Sequence, residues 1–283
     1  MSGAPNEIKV LGLHGKGTSA QIFKSQTAAF RHRLPEQFNF TFIDAPHICD
    51  PAPATDILFT SNHYGWYHMP ATPEVLRSAH AILDAYLAEH GPFDIVMGFS
   101  QGCAVISSYI LYHQREKPGV ELPFKGAVFI CGSVPLPALR DLGVNVTKRT
   151  EEVHQTSIEQ LGKRTTELLK LAQNLKNVGP GAGTKVWDDK TGLVHDPEEK
   201  LRTSDVYGLD FTKMAEDLLV QIPTVHIYGA KDPRWPCNRH LEYFCMKKKV
   251  FDHGGGHEIP RFTAVSDKIA EMVVWLANEI KSG

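Results

Sequence analysis

Gly98-Phe99-Ser100-Gln101-Gly102 stands directly between an apolar strand-like run, Phe93 to Met97, and an apolar helix-like run from Gly102 through Tyr109. A chain that passes from strand to helix in so few residues must turn sharply. Glycines on both sides of the serine let neighbouring backbone come close. The spacing predicts a serine held in strained dihedrals, its Oγ clear of the sheet at the carboxyl edge where α/β folds bind ligands. A tight turn with an incidental serine is the alternative.

The surrounding pattern predicts the same architecture. Ile8 to Leu13 reads as a short buried strand that ends in the turn His14-Gly15-Lys16-Gly17. Thr18 or Ser19 can cap a helix carrying Ile22, Phe23, Ala29 and Phe30 on one face, and Phe38 to Ile43 alternates as a second strand. The stretch from Asp44 to Pro70 has no period and reads as a long loop. Thr72-Pro73 then opens a helix whose apolar positions run from Val75 to Leu87, closed by Gly91-Pro92. Lys125 to Ile130, Thr224 to Tyr228 and Lys249 to Phe251 supply further strands, and Phe262 to Leu276 a closing helix. Strands separated by helices imply a doubly wound, mostly parallel α/β sheet covered on both faces. Residues 136–210 break the rhythm with an amphipathic helix (Ile158, Leu161, Thr165, Leu168, Ala172, Leu175) and the run Gly179-Pro180-Gly181-Ala182-Gly183, which favours a mobile connection. We read a single domain, 1–283, carrying this segment as a helical, lid-like insertion; packing against a partner chain is its alternative role.

Composition narrows the partners. Lys and Arg number 30 against 32 Asp and Glu, a net charge of −2, which offers no electrostatic reason to expect nucleic acid or an anionic membrane surface. No apolar run approaches the ~20 residues that span a bilayer, and Met1 to Lys9 lacks the apolar core of a secretory signal. The five cysteines are an odd number without a C-x-x-C pair, which argues against a disulfide framework or zinc ribbon and for a reducing, cytoplasmic setting.

A serine hydroxyl needs a base, and the base needs an orienting acid. Asp232 lies just past the strand Thr224 to Tyr228, and His257 lies between the last strand and the last helix, giving the order Ser…Asp…His. Asp205, inside the insertion, and Asp252, directly before a glycine run, compete as the acid, and His253 as the base. His253, His257 and Glu258 as a zinc set fit no H-E-x-x-H pattern, so no metal is expected. An oxyanion needs two preorganised N–H donors. The expected pair is the backbone of Gln101, at a helix N-terminus, and of Lys16, in the turn after the first strand. That turn lacks the spacing of a phosphate loop.

Leu13 to Ser19, Phe42 to His47, Gly91 to Asp94, Gly98 to Gly102 and Gly255 to Arg261 together resemble the fungal family of serine hydrolases (FSH) over nearly the whole chain except about 136–210. The resemblance implies an α/β-hydrolase fold, no cofactor, a triad of Ser100, Asp232 and His257, and hydrolysis of carboxylic esters or thioesters. It further implies a small-molecule or carrier-protein-bound acyl substrate, with a polyketide synthase as a possible partner. Cys103 departs from the small residue common after this elbow, and the insertion is longer than in compact members.

Two other outcomes stay open at this level. The same triad could serve acyl transfer, cyclisation or C–C bond cleavage, or the scaffold could bind a ligand without turning it over. Tyr64 and Trp66, in the aromatic loop, are expected to line the acyl pocket; anchoring of the loop to the core is the alternative.

Overall fold

Burial with a period of two builds the central sheet. In β1 (Ile8–Leu13), Ile8 and Val10 join one hydrophobic cluster while Leu11 and Leu13 join the other. The same division holds in β3 (Ile95–Phe99), where Ile95, Met97 and Phe99 oppose Val96, and in β4 (Gly126–Ile130), where Val128 and Ile130 oppose Ala127 and Phe129. With β2 (Phe38–Ile43), β5 (Thr224–Tyr228) and β6 (Lys248–Asp252) these strands form one sheet in the order β2-β1-β3-β4-β5-β6, every pair parallel. The computed structural model describes residues 7–282 apart from 54, 56–58 and 174–181.

Helices cover both faces, as a parallel sheet requires. Phe23 of α1 (Ala20–Gln26) and Ile269, Met272, Val273 and Leu276 of α8 (Thr263–Ser282) pack on one face. Leu76 and Leu83 of α2 (Pro73–His90), with Val105, Ile106 and Ile110 of α3 (Gln101–Glu116), pack on the other. Strand order reverses direction between β1 and β3, so the loops leaving these two strands diverge and open a crevice. No helix among the described residues is long and apolar enough to cross a membrane.

Three local features differ from the sequence reading. The first helix stops at Gln26 and resumes as a single turn at Ala28–Arg31; here Lys24 O accepts from the Arg31 guanidinium (2.7 Å) and the Thr27 hydroxyl (3.3 Å), side-chain donors that compete with the helix backbone. The closing helix begins at Thr263, and Phe262 lies outside it, 67% exposed. The long loop holds a two-residue antiparallel pair, His47–Ile48 with Tyr64–Gly65.

The segment 136–210 contributes α4 (Leu136–Asp141), α5 (Lys148–Gln173) and α6 (Ala182–Asp188). In α5 the buried residues are Thr150, Ser157 and Arg164, not the apolar stripe. Arg164 is 4% exposed and donates to Asp189 Oδ2 (2.7 Å), Asp189 O (2.7 Å) and Thr191 O (3.2 Å), so polar bonds dock the helix and leave its apolar side facing a cavity. Leu175 and Gly179 to Gly181, parts of the expected helix and mobile connection, lie outside the described residues. The remaining helix, α7 (Trp235–Phe244), joins β5 to β6.

Candidate active site

The crevice gathers loops from five strand ends. Ser100 follows β3 with φ 50° and ψ −109°, a conformation that non-glycine residues rarely adopt and that costs about 1–3 kcal/mol. Close approach explains its glycine neighbours: a Cβ on Gly102 would stand 2.2 Å from Leu13 O, and one on Gly98 would stand 2.7 Å from Cys103 N. The Ser100 N–H donates to Ile130 O (3.0 Å), which fixes the elbow to the next strand.

His257, on the loop after β6, reaches both partners. Its Nε2 lies 2.9 Å from Ser100 Oγ and its Nδ1 lies 2.7 Å from Asp232 Oδ2. Asp232 is fully buried on the loop after β5, and its Oδ1 accepts the Arg234 N–H (2.7 Å). Burial is the largest influence on this carboxyl and opposes its charge. The charge of His257 when its ring is protonated, its hydrogen bond, the Arg234 N–H and the Arg234 guanidinium together outweigh it and hold the group below the usual carboxylate range. An ionised carboxylate only accepts, so Nδ1 carries the imidazole proton and Nε2 is free to accept from the serine hydroxyl.

The rivals are placed elsewhere. Asp205 pairs with Arg149 and accepts the Gly208 N–H (2.8 Å), while Asp252 accepts from Ala230 N and Gly254 N (2.8 Å each). His253 accepts the Gly255 N–H at Nδ1 (3.2 Å), and burial pulls it down to about 4. His253, His257 and Glu258 do not converge as a metal set. Among the described residues the one group of three possible ligands is Cys131, Asp232 and His257, in which the last two are already bonded to each other. Burial holds the Cys131 thiol well above its ordinary value, so it packs beside the pair as a neutral group.

Gln101 is the first residue of α3, where an N–H has no acceptor within the helix, and the Lys16 N–H has no acceptor among the described residues. Both residues line the cavity at Ser100. The turn that carries Lys16 is fixed from three sides. His14 Nε2 accepts the Ala45 N–H (3.0 Å), its Nδ1 donates to Gly15 O (2.7 Å), and Thr18 Oγ1 donates to the same carbonyl (2.7 Å).

Trp66 and Tyr64 do not line the cavity beside Ser100. Trp66 is 1% exposed, and its Nε1 donates to His14 O (2.8 Å). Tyr64 is held in the short strand pair and bonded through its backbone to Gly17 and Thr18. The reason is register: Gln101 Oε1 accepts the Trp66 N–H (2.9 Å) and Gln101 Nε2 donates to Tyr67 O (3.0 Å), which turns the Trp66 indole inward. Tyr67 lines the cavity instead.

Two cavities meet at Ser100 and His257, of about 610 and 700 Å³. Ile158 and Leu161 of α5 wall both, and Thr165 and Leu168 extend the wall of the larger one. The apolar stripe of the insertion therefore faces the space above the serine. Arg234 and His154, which the sequence reading did not single out, line the smaller cavity. A cation two positions after Asp232 was the available signal for Arg234.

The model of the serine hydrolase family FSH1 matches residues 1–269. The chain is 24% identical over 258 residues to Esterase FPY3 of Fusarium mangiferae, covering 90% of this chain and 89% of that one. It is 28% identical over 276 residues to Esterase tropF of Talaromyces stipitatus, covering 89% and 76%. Among solved structures, the Bacillus cereus carboxylesterase superposes with a TM-score of 0.49 at 12% identity, covering 96% of this chain and 89% of that one.

Proposed function

The chain belongs to the FSH1 family of serine hydrolases, and from that membership we propose that it cleaves a carboxylic ester or acyl thioester through an acyl-serine intermediate. Its sheet and flanking helices are those of an α/β-hydrolase fold. The observation that carries the proposal is the unbroken hydrogen-bonded line from Ser100 Oγ through His257 to Asp232.

In this reading Ser100 Oγ attacks the acyl carbonyl while His257 Nε2 takes its proton, and Asp232 steadies the imidazolium that forms. The N–H groups of Gln101 and Lys16 hold the tetrahedral oxyanion, helped by the positive end of α3. The Nε2 proton then passes to the departing alkoxide or thiolate. A water molecule, deprotonated by His257, attacks the acyl-serine; the C–Oγ bond breaks, Ser100 Oγ takes the proton back from His257 Nε2, and the acid is released. Ile158 and Leu161 of the insertion act as a lid wall against the apolar part of the acyl group.

The substrate reaches this site as a small ester or on the arm of an acyl carrier protein of a polyketide synthase, the setting that the family resemblance implies. Five free cysteines support a cytoplasmic location. Turnover of a panel of acyl esters and thioesters in ¹⁸O-labelled water tests the reaction type. Acid products carrying one ¹⁸O from solvent are expected. Unlabelled cyclic products, or binding without any turnover across the panel, would replace hydrolysis by cyclisation or by ligand binding.

A further inference from the structure

Arg234 brings a cation into the smaller cavity, where none of the described residues forms a salt bridge with it. Its Nη1 donates to Ser157 Oγ (2.9 Å) and His154 O (3.3 Å), and Nε and Nη2 have no acceptor among the described residues. No carboxylate lies within 4.0 Å of it among those residues. Asp232, the acid nearest in sequence, is turned to His257 and to the Arg234 backbone N–H.

The other charged groups of this cavity do not answer it. Arg140 and Glu151 pair with each other, and burial, reinforced by Arg234, pulls His154 down to about 3 so that it stays neutral. Tyr67 stands on the same cavity wall, 7% exposed, with no acceptor or donor to its hydroxyl among the described residues. Arg234 lines the same cavity, so both groups face one bound molecule. A guanidinium and a phenol on one cavity wall, both with free donors, offer the chemistry that a negatively charged oxygen group requires.

Resting on the hydrolase reading above, we propose that the substrate carries an anionic oxygen group, of carboxylate type, which Arg234 and Tyr67 bind in the cavity next to Ser100. The Arg234 guanidinium is half-buried and, beyond its bonds to Ser157 Oγ and His154 O, keeps the donors of Nε and Nη2 for that group. The pair therefore selects the substrate; it takes no part in the proton transfers.

Two pairs of esters test this. In 4-nitrophenyl hydrogen glutarate and its methyl ester, the charge sits in the acyl part. In the butanoyl esters of 4-hydroxybenzoate and of methyl 4-hydroxybenzoate, it sits in the leaving group. For at least one pair the wild type should favour the charged member, and Arg234→Met should lower the charged-to-neutral ratio of kcat/KM at least about 10-fold. Tyr67→Phe should lower the same ratio by a smaller factor, and Arg234→Lys should restore part of it. Tyr67→Phe and Arg234→Lys carry the measurement where Arg234→Met fails to fold. Ratios unchanged within about twofold in every variant and both pairs would overturn the proposal. If the wild type turns over no ester, the hydrolase reading fails separately. Calorimetric titration of Ser100→Ala with glutarate then decides the anion site: loss of binding in Ser100→Ala/Tyr67→Phe or Ser100→Ala/Arg234→Lys supports it, and equal or absent binding overturns it.

Discussion

His257 Nε2 lies 2.9 Å from Ser100 Oγ although 157 residues separate the two in the chain. Two different strand ends bring them together, and neither residue lies on the insertion. The placing of these two side chains is thus set by the sheet, while the space around them is set by segments laid over it.

The first prediction concerns the acid. Asp232→Asn replaces an acceptor by a group that can donate to Nδ1, which leaves the Nε2 proton facing Ser100 and removes the base. The kcat should fall by about 10⁴-fold with little change in the circular dichroism spectrum. Steady-state kinetics on a chromogenic ester checks this; a loss below about tenfold would assign the orienting role to another group.

Trp66 separates anchoring from substrate contact. Trp66→Ala should destabilise the fold by about 3–5 kcal/mol, through the cavity left and the lost bond to His14 O. The relative kcat/KM for short and long acyl esters should stay the same. Urea denaturation and a chain-length series measure the two effects, and a shift in chain-length preference at unaltered stability would contradict this placement.

Trp187 of α6 packs against Gly256, one residue before His257; a Cβ on Gly256 would come within 1.9 Å of the indole. The adjacent Asp188 also pairs with Lys231 beside Asp232. Gly256→Ala should therefore displace the His257 loop and lower kcat more than tenfold, on the order expected for a small misplacement of a reacting group. Adding Trp187→Ala should return part of the activity by relieving the overlap. No recovery in the double variant would show that the glycine is needed for another reason.

Buried histidines give the fold an acid-side weakness. Burial pulls His226 down from 6.5 to about 3 and His240 to about 4. Below about pH 6.5 the unfolded chain binds protons that the folded chain refuses. The contribution is therefore full above that pH and is lost as pH falls, at up to about 1.4 kcal/mol per pH unit for each histidine. The urea midpoint should drop between pH 7 and 5, and His226→Gln should flatten the drop. Identical slopes in the two proteins would refute the assignment.

Much of this was legible in the chain because strands and elbow are local. Ile8 to Leu13, Phe38 to Ile43 and Thr224 to Tyr228 each carry enough apolar residues to fix a strand without help. The glycines of the elbow are required by contacts with Leu13 O and Cys103 N that any such turn must make. What the chain did not disclose depends on distant partners. Whether Trp66 or Tyr67 faces the cavity is decided by the Gln101 side chain, and the buried side of α5 is decided by Arg164 finding Asp189 and Thr191. Periodicity marks an apolar stripe but does not say whether it covers core or cavity.

The most direct test is acylation of Ser100. Wild-type protein mixed with 4-nitrophenyl butanoate and acid-quenched within one turnover should release a stoichiometric burst of nitrophenolate. Peptide mass spectrometry should place one butanoyl group on Ser100, and Ser100→Ala should show neither burst nor adduct. Wild-type turnover in Ser100→Ala, or the acyl group on another residue, would contradict the account.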